Sequence, residues 1–353
     1  MRWTRSERSL GLILGFLADR VLGDPLRGHP VAGFGAVAAG LERAVWRPSR
    51  VVGAGYAATM VGTVLVGVGA VGHRGRGAVG RPVASAPRAL FAAVVVWAAL
   101  GGRSLEGEAS EVARLVKTGD LSRARERLPR LVGRDPSGMG SDELCRAAVE
   151  SVAENTADAV VGPLVWGAVG GPAAVAAYRA ANTLDAMVGH RSPRHERFGW
   201  AAAHLDDVVG WPGARLGALL AVVLAPLVDG DRRRAWSTLR RDGAAHPSPN
   251  AGRLEAAFAG ALGVRLGGIN RYPSHTEQRP TLGDGHPPTP ADVHRATRLS
   301  RLIGVASAAL ATGTALCALR TPGAARARRM DWAVGGLRSL CEEKAPSAGW
   351  GRA

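Results

Sequence analysis

The segment Glu150-Ser-Val-Ala-Glu154-Asn155-Thr-Ala-Asp158 carries three carboxylates straight into a stretch without charge. On a helix, positions 150, 154 and 158 are spaced i, i+4, i+8 and fall along one face. Like charges at that spacing cost a helix about 0.2–0.5 kcal/mol per pair. Carboxylates entering an apolar segment are costlier still and commonly mark function. Two readings follow: a solvated acidic face at a membrane boundary, or a set compensated by Mg²⁺, an arginine or a substrate amine. The pattern recurs. Asn182 and Asp185 stand one turn apart after the apolar run 159–178, and Asp206-Asp207 stand just before the run 208–228. Asp19 and Asp24 follow the first short apolar run, the latter in Gly23-Asp24-Pro25 with His29-Pro30 close behind. Recurrence at the ends of apolar segments favours the second reading. Mg²⁺ takes few protein carboxylates and completes its shell with water and phosphate, so these clusters suit a phosphate-bearing substrate better than a protein cage.

The segment His246-Pro-Ser-Pro-Asn250-Ala-Gly252-Arg-Leu-Glu255 reads as a helix start. Ser248 is a natural N-cap and Pro249 suits the first helical position, with the helix expected to continue to Gly267-Gly268. Its free N–H groups could face an anion, although a purely structural cap is the commoner role. The sequence has no GxxxxGK[ST], HExxH or G-x-S-x-G signature, and no GxGxxG that follows a strand. His190, His195 and His204 lack zinc-ligand spacing, so a catalytic zinc is not expected. Cys145, Cys317 and Cys341 form no CxxC pair and imply no disulfide framework.

The elements that must position these residues read as membrane helices. Residues 51–72 hold no charge and are long enough for a bilayer, which needs about 20 apolar residues. Residues 302–319 are a second such run, 159–178 a third interrupted by Pro163, Gly170-Gly171 and Pro172, and 208–228 a fourth carrying Arg215. Segments 89–102 and 9–18 are shorter and suit interfacial, re-entrant or buried positions. The mean hydropathy of +0.03 requires large polar parts as well, at 103–150, 186–206 and 230–300. Residues 103–131 have the pattern of amphipathic helix. Without a convincing strand pattern, the expectation is an all-α polytopic integral membrane protein with about four or five transmembrane helices and helical polar loops. A single domain is expected over 1–320, with an Arg/Gly linker insert at 73–88 and a poorly ordered tail at 321–353.

The 353 residues carry a net charge of +16, almost all of it from arginine, since Lys117 and Lys344 are the only lysines. No basic face interleaved with stacking aromatics accompanies it, so a nucleic-acid partner is not expected. Arginines beside apolar runs suit anionic lipid.

Several of these blocks together resemble the adenosylcobinamide-phosphate synthase (CobD/CbiB) family of cobalamin biosynthesis, from about Ala18 to Arg301. The matching blocks are Asp19-Arg-Val-Leu-Gly-Asp24-Pro with His29-Pro-Val, Gly133-Arg-Asp135-Pro-Ser-Gly138, and Ala148-Val-Glu150-Ser-Val-Ala-Glu154-Asn155 with Asp158. Next come Tyr178-Arg179-Ala-Ala-Asn182-Thr-Leu-Asp185-Ala-Met-Val-Gly189 and Phe198-Gly-Trp-Ala-Ala with Leu205-Asp206-Asp207. Ser248-Pro-Asn250-Ala-Gly252, Glu255-Ala-Ala, Leu266-Gly-Gly268 and Arg279-Pro close the series. Gly140, where an acidic residue is common, and Arg271-Tyr-Pro-Ser-His275 depart from the pattern. The resemblance implies an ATP- and Mg²⁺-dependent amide ligase in the cell membrane, its active face cytoplasmic. Its corrinoid substrate would be adenosylcobyric acid, joined to (R)-1-amino-2-propanol or its O-phosphate. Glu150, Glu154, Asp158 and Asp185 are then the expected catalytic residues. Asp24, Asn155, Arg179, Asn182, Asn250 and Glu255 are expected to bind substrate, and Asp206 and Asp207 metal. Contacts with other cobalamin-pathway enzymes would fit. A membrane transporter or a non-catalytic membrane sensor on the same scaffold are the rival readings.

Overall fold

The computed structural model describes residues 3–25, 28–74, 85–190, 192–272 and 276–317. The chain is mostly helical. Helix α1 (Arg5–Leu22) starts from a capping box in which Thr4 and Glu7 satisfy each other's backbone N–H. It packs along α4 (Ser85–Ala99) through two glycines: a Cβ on Gly11 or Gly15 would collide with Ala92 or Val96. Small residues allow such close helix approach where lipid offers no hydrophobic drive between helices. One end of this pair is tied by a buried ion pair, Arg88 Nη1 to Glu7 Oε1 at 2.8 Å.

Three apolar clusters organise the molecule. The largest joins α5 (Gly102–Lys117), α6 (Leu121–Arg127), α7 (Ser141–Thr156), the second half of α10 (Trp200–Leu224), α11 (Arg232–Asp242), α12 (Ala251–Leu262) and the first half of α13 (Pro290–Cys317). The second joins α1, α4, α8 (Gly162–Gly170), α9 (Pro172–Leu184) and the far end of α13. The third holds α2 (Pro30–Val45), α3 (Arg50–Arg74), the end of α9 and the start of α10.

Among the described residues four helical runs are long and apolar enough to cross a membrane: Arg50–Gly72, Ala86–Lys117, Trp200–Val228 and Pro290–Cys317. Exposed Val66, Leu90, Val208, Leu219 and Leu310 lie on these runs. They are the apolar side chains a bilayer would cover. Three of the four expected spans fall on these runs, but 159–178 does not form one span. Gly171 adopts φ 71°, which only glycine takes at low cost, and Pro172 opens a new helix. The chain therefore turns between α8 and α9, and the two short helices pack on each other. The shorter segment 89–102 instead belongs to a long run, in which α4 and α5 meet at Leu100-Gly101. Helix α3 runs through Arg74 and α4 begins at Ser85, so both ends of the expected 73–88 linker are helical. Residues 75–84 and the tail at 321–353 lie outside the described residues.

Two further expectations change. Helix α12 begins at Ala251, not Pro249, although Ser248 Oγ still accepts from the N–H groups of Asn250 and Ala251 at 3.3 and 3.2 Å. It ends at Leu262 because Gly263 takes a left-handed conformation (φ 73°) and its N–H returns to the Ala259 carbonyl. The chain then forms an antiparallel hairpin, β1 (Leu266–Arg271) with β2 (Thr276–Leu282), an exception to the all-helical expectation. Only Leu266 and Leu282 bring apolar anchors into the core, so the strands carry too little alternation to be read from sequence.

Candidate active site

Helix α7 continues into α8 through one wide π turn, Ala157–Val161, in which the Gly162 N–H reaches the Ala157 carbonyl. Helix α9 likewise ends in a π turn, Asp185–Gly189. Such turns insert a residue into the helical ladder and often occur at functional sites. Each one here carries a carboxylate from the sequence motifs, Asp158 in the first and Asp185 in the second. Gly189 packs so tightly over Asp185 that a Cβ there would overlap the carboxylate. Gly162 does the same for the Tyr178 ring.

These turns face α10. Asp158 lies within electrostatic reach of Asp206, Glu154 and Arg179, and the Asn182 amide faces it. Asp206 is in reach of Asp185, Asp207, Glu154 and Asn182. Glu154, Asp158, Asp185, Asp206 and Asp207 thus converge from α7, both π turns and α10. Arg179 lies within electrostatic reach of Asp158. Its Nη1 donates to Asn182 Oδ1 at 3.1 Å, while its Nε is buried without a hydrogen-bond partner. Behind Arg179 an apolar cavity of about 250 Å³ lies between α2, α3, α4 and α9.

The other expected residues are placed differently. Asn155 turns back along its own helix, its Nδ2 donating to the Ser151 carbonyl at 3.0 Å. Asn250 locks α12 to α10: its Oδ1 accepts from Arg215 at 2.7 Å and its Nδ2 donates to the Asp207 carbonyl at 2.8 Å. Asp24 sits at the start of α5, its N–H donating to Ser104 Oγ at 3.3 Å and its carboxylate 3.7 Å from His29.

Glu150 and Glu255 form a second group, joined to the first through Glu154. Glu150 is 1% exposed and bonds the Arg134 guanidinium, itself buried, and the Gly267 N–H at 2.7 Å. Arg146 approaches it at 3.4 Å and also donates to the Gly267 and Ile269 carbonyls at 2.5 and 2.9 Å. Burial alone would raise the Glu150 pKa, but Arg134, Arg146 and the Gly267 N–H together hold it below the usual carboxylate value. This triad fastens the hairpin to α7. Glu255, also 1% exposed, lacks such support: its Oε1 has no hydrogen-bond partner and lies 3.7 Å from His246 Nε2. Burial, then Glu150 and Glu154, push its carboxyl well above the usual range. His246 is pushed down by burial and by Arg279, whose Nη1 lies 3.0 Å from His246 Nε2.

Among the described residues no group of three or more His, Cys, Asp or Glu side chains is arranged to hold a metal alone. A Mg²⁺ sharing its shell with phosphate needs only one or two carboxylates. Asp206 meets that need, since its Oδ1 is buried without a partner and its neighbours are mostly carboxylates.

Fold and site thus define a multi-pass helical membrane protein with a carboxylate-rich site where π turns meet a membrane-length helix. The family model for CobD/Cbib protein matches residues 12–300. The chain is 52% identical over 309 residues to the cobalamin biosynthesis protein CobD of Mycobacterium tuberculosis (strain H37Rv), covering 87% of this chain and 96% of that one. It is 40% identical over 294 residues to the protein of the same description from Geobacter metallireducens, covering 83% and 92%. One from Rhodobacter capsulatus is 41% identical over 279 residues, covering 78% and 85%. No solved structure matches. The chain belongs to the CobD/CbiB family of cobalamin biosynthesis.

Sequence reasoning missed Arg134, Arg146 and His246 as partners of the buried carboxylates. Arg134 stands inside the quoted Gly133-Arg-Asp135 block and His246 opens the Ser248-Pro-Asn250 segment, so both lay next to recognised motifs. Only their burial marks them out.

Proposed function

We propose that this chain is the amide ligase of its pathway, joining a propionate of adenosylcobyric acid to (R)-1-amino-2-propanol or its O-phosphate. The observation that carries the reading is the convergence of Glu154, Asp158, Asp185 and Asp206 from separate elements in a member of this family. A carboxylate and an ammonium do not condense unaided, so ATP is the expected source of activation. Mg²⁺ held by Asp206 and Asp207 would neutralise phosphate charge. Arg179 offers a planar guanidinium to a phosphate or to the corrinoid carboxylate, with Asn182 orienting it. The incoming ammonium gives up one proton to become a nucleophile and a second as the amide forms. Glu154, Asp158 and Asp185 are the candidate acceptors. Glu150, saturated by Arg134, Arg146 and Gly267, acts as a positioning residue for Glu154 one turn away. Asp24, Asn155, Asn250 and Glu255 complete the substrate-binding set. The active face is cytoplasmic, where ATP is available, and the chain sits in the cell membrane.

The test is incubation of detergent-solubilised protein with adenosylcobyric acid, ATP, Mg²⁺ and either amine, with products read by mass spectrometry. The expected product is the corrinoid heavier by the amine less water, formed only with ATP. Folded protein that binds corrinoid yet forms no product with either amine overturns the reading. Flux across vesicles without covalent product would point to a transporter.

A further inference from the structure

Glu150, Glu154 and Glu255 stand within electrostatic reach of one another, yet they are served unequally. Glu150 is saturated by two guanidinium groups and a backbone N–H. Arg279, the next cation, is engaged by Glu277 at 3.2 Å, the Tyr272 hydroxyl at 3.2 Å and the His246 imidazole. Among the described residues Glu154 has no ion-pair partner, and Glu255 has only a neutral imidazole at 3.7 Å. A buried carboxyl with an orphaned oxygen is costly unless some cation arrives.

We infer that Glu255, together with Glu154 and His246, forms a subsite for a primary alkylammonium group and thereby seats the amine substrate of the proposed ligation. An ammonium brings three N–H donors and no acceptor. The oxygens of the two carboxylates accept these donors, while the His246 imidazole, whose Nε2 already accepts from Arg279, lines the site 3.7 Å from Glu255. The ammonium's single charge matches the one left when Glu150, Glu154, Glu255 and Glu277 are set against Arg134, Arg146 and Arg279. A divalent ion would face those same guanidinium groups, and an anion would face unpaired carboxylates. Glu154 belongs to both groups, so an amine seated here lies beside the Asp158, Asp185 and Asp206 carboxylates.

The inference rests on the ligase reading for the identity of the amine, but its binding measurements do not depend on turnover. Binding of (R)-1-amino-2-propanol, methylammonium and propane-1,2-diol to the detergent-solubilised full chain is measured by calorimetry. Wild type, Glu255→Gln and His246→Gln are compared, each checked for folding by thermal unfolding. Loss of a charge-assisted hydrogen bond predicts that Glu255→Gln weakens both amines by about 10- to 100-fold. The KM for amine should rise while that for corrinoid stays within about twofold. His246→Gln should weaken both amines by a smaller factor, and the diol should not bind. Wild-type affinity and KM in Glu255→Gln would overturn the subsite. So would binding of the diol as tightly as the amine, failure of wild type to bind either amine, or competitive displacement of methylammonium by Mg²⁺ alone. If Glu255→Gln fails to fold, unchanged amine affinity in His246→Gln overturns it. Amine binding of the expected kind without amide product would refute the ligase reading and leave the subsite standing.

Discussion

Replacing Glu150 with glutamine tests whether this carboxylate serves structure or chemistry. The substitution keeps shape and an oxygen for the Gly267 N–H, but it leaves Arg134 buried without its counter-charge and weakens the hold of Arg146. Arg134 is 7% exposed, so water cannot replace the lost partner. Removing one member of such a pair costs about 3–5 kcal/mol, against about 1 kcal/mol or less for an exposed pair. Glu111, paired with Arg114 at the surface, supplies the exposed control as Glu111→Gln. Thermal unfolding of the detergent-solubilised variants, followed by tryptophan fluorescence, should show Glu150→Gln well below wild type and Glu111→Gln beside it. The double variant Glu150→Gln/Arg134→Met, which removes the orphaned charge, should recover part of the loss. Glu150→Gln unfolding within about 1 kcal/mol of wild type would refute the reasoning. So would a double variant less stable than the single.

Three other outcomes follow from the same geometry. Glu154→Gln and Asp185→Asn should stay folded yet lose about 10²-fold or more of the proposed ligase activity; full activity in both would remove them from the chemistry. Glu255 carries a carboxyl whose folded-state pKa is raised by burial and by its acidic neighbours. Its contribution to stability is therefore present below the ordinary carboxylate pKa and is lost as pH climbs through the raised value. Unfolding temperatures measured from about pH 5 to about pH 9 should fall more steeply for wild type than for Glu255→Gln, and parallel curves would contradict this. Gly213 on α10 crosses Gly162 so closely that a Cβ would lie 3.0 Å from the Gly162 backbone. Gly213→Leu should lower thermal stability by about 1–3 kcal/mol, and a variant as stable as wild type would show that this crossing is not tight.

Much of the scaffold was legible because its signals are local. Uncharged runs such as 51–72 need no tertiary information to read as membrane helices, and carboxylates at their ends stand out for the same reason. The break inside 159–178 was visible as Gly170-Gly171-Pro172, but whether it kinks or reverses a span depends on the neighbouring helices. The hairpin after α12 was hidden because its strands present few alternating apolar residues. Segment 89–102 looked too short for a span because α5, which extends it, is amphipathic and reads as soluble helix.

The order of the acidic and amide motifs, their helical spacing and their place at the ends of apolar runs are properties of the chain alone. They determine the family, the helical class and the set of residues that could act. Only the tertiary structure decides how that set divides. Glu150 and Glu255 both read as acidic residues on helices, yet one is saturated by Arg134, Arg146 and Gly267 and the other is left with an orphaned oxygen. The difference comes from partners 16 and 117 positions away from Glu150 in sequence. Charge compensation acts through space at a few ångströms, and sequence spacing carries that distance only within a single helix.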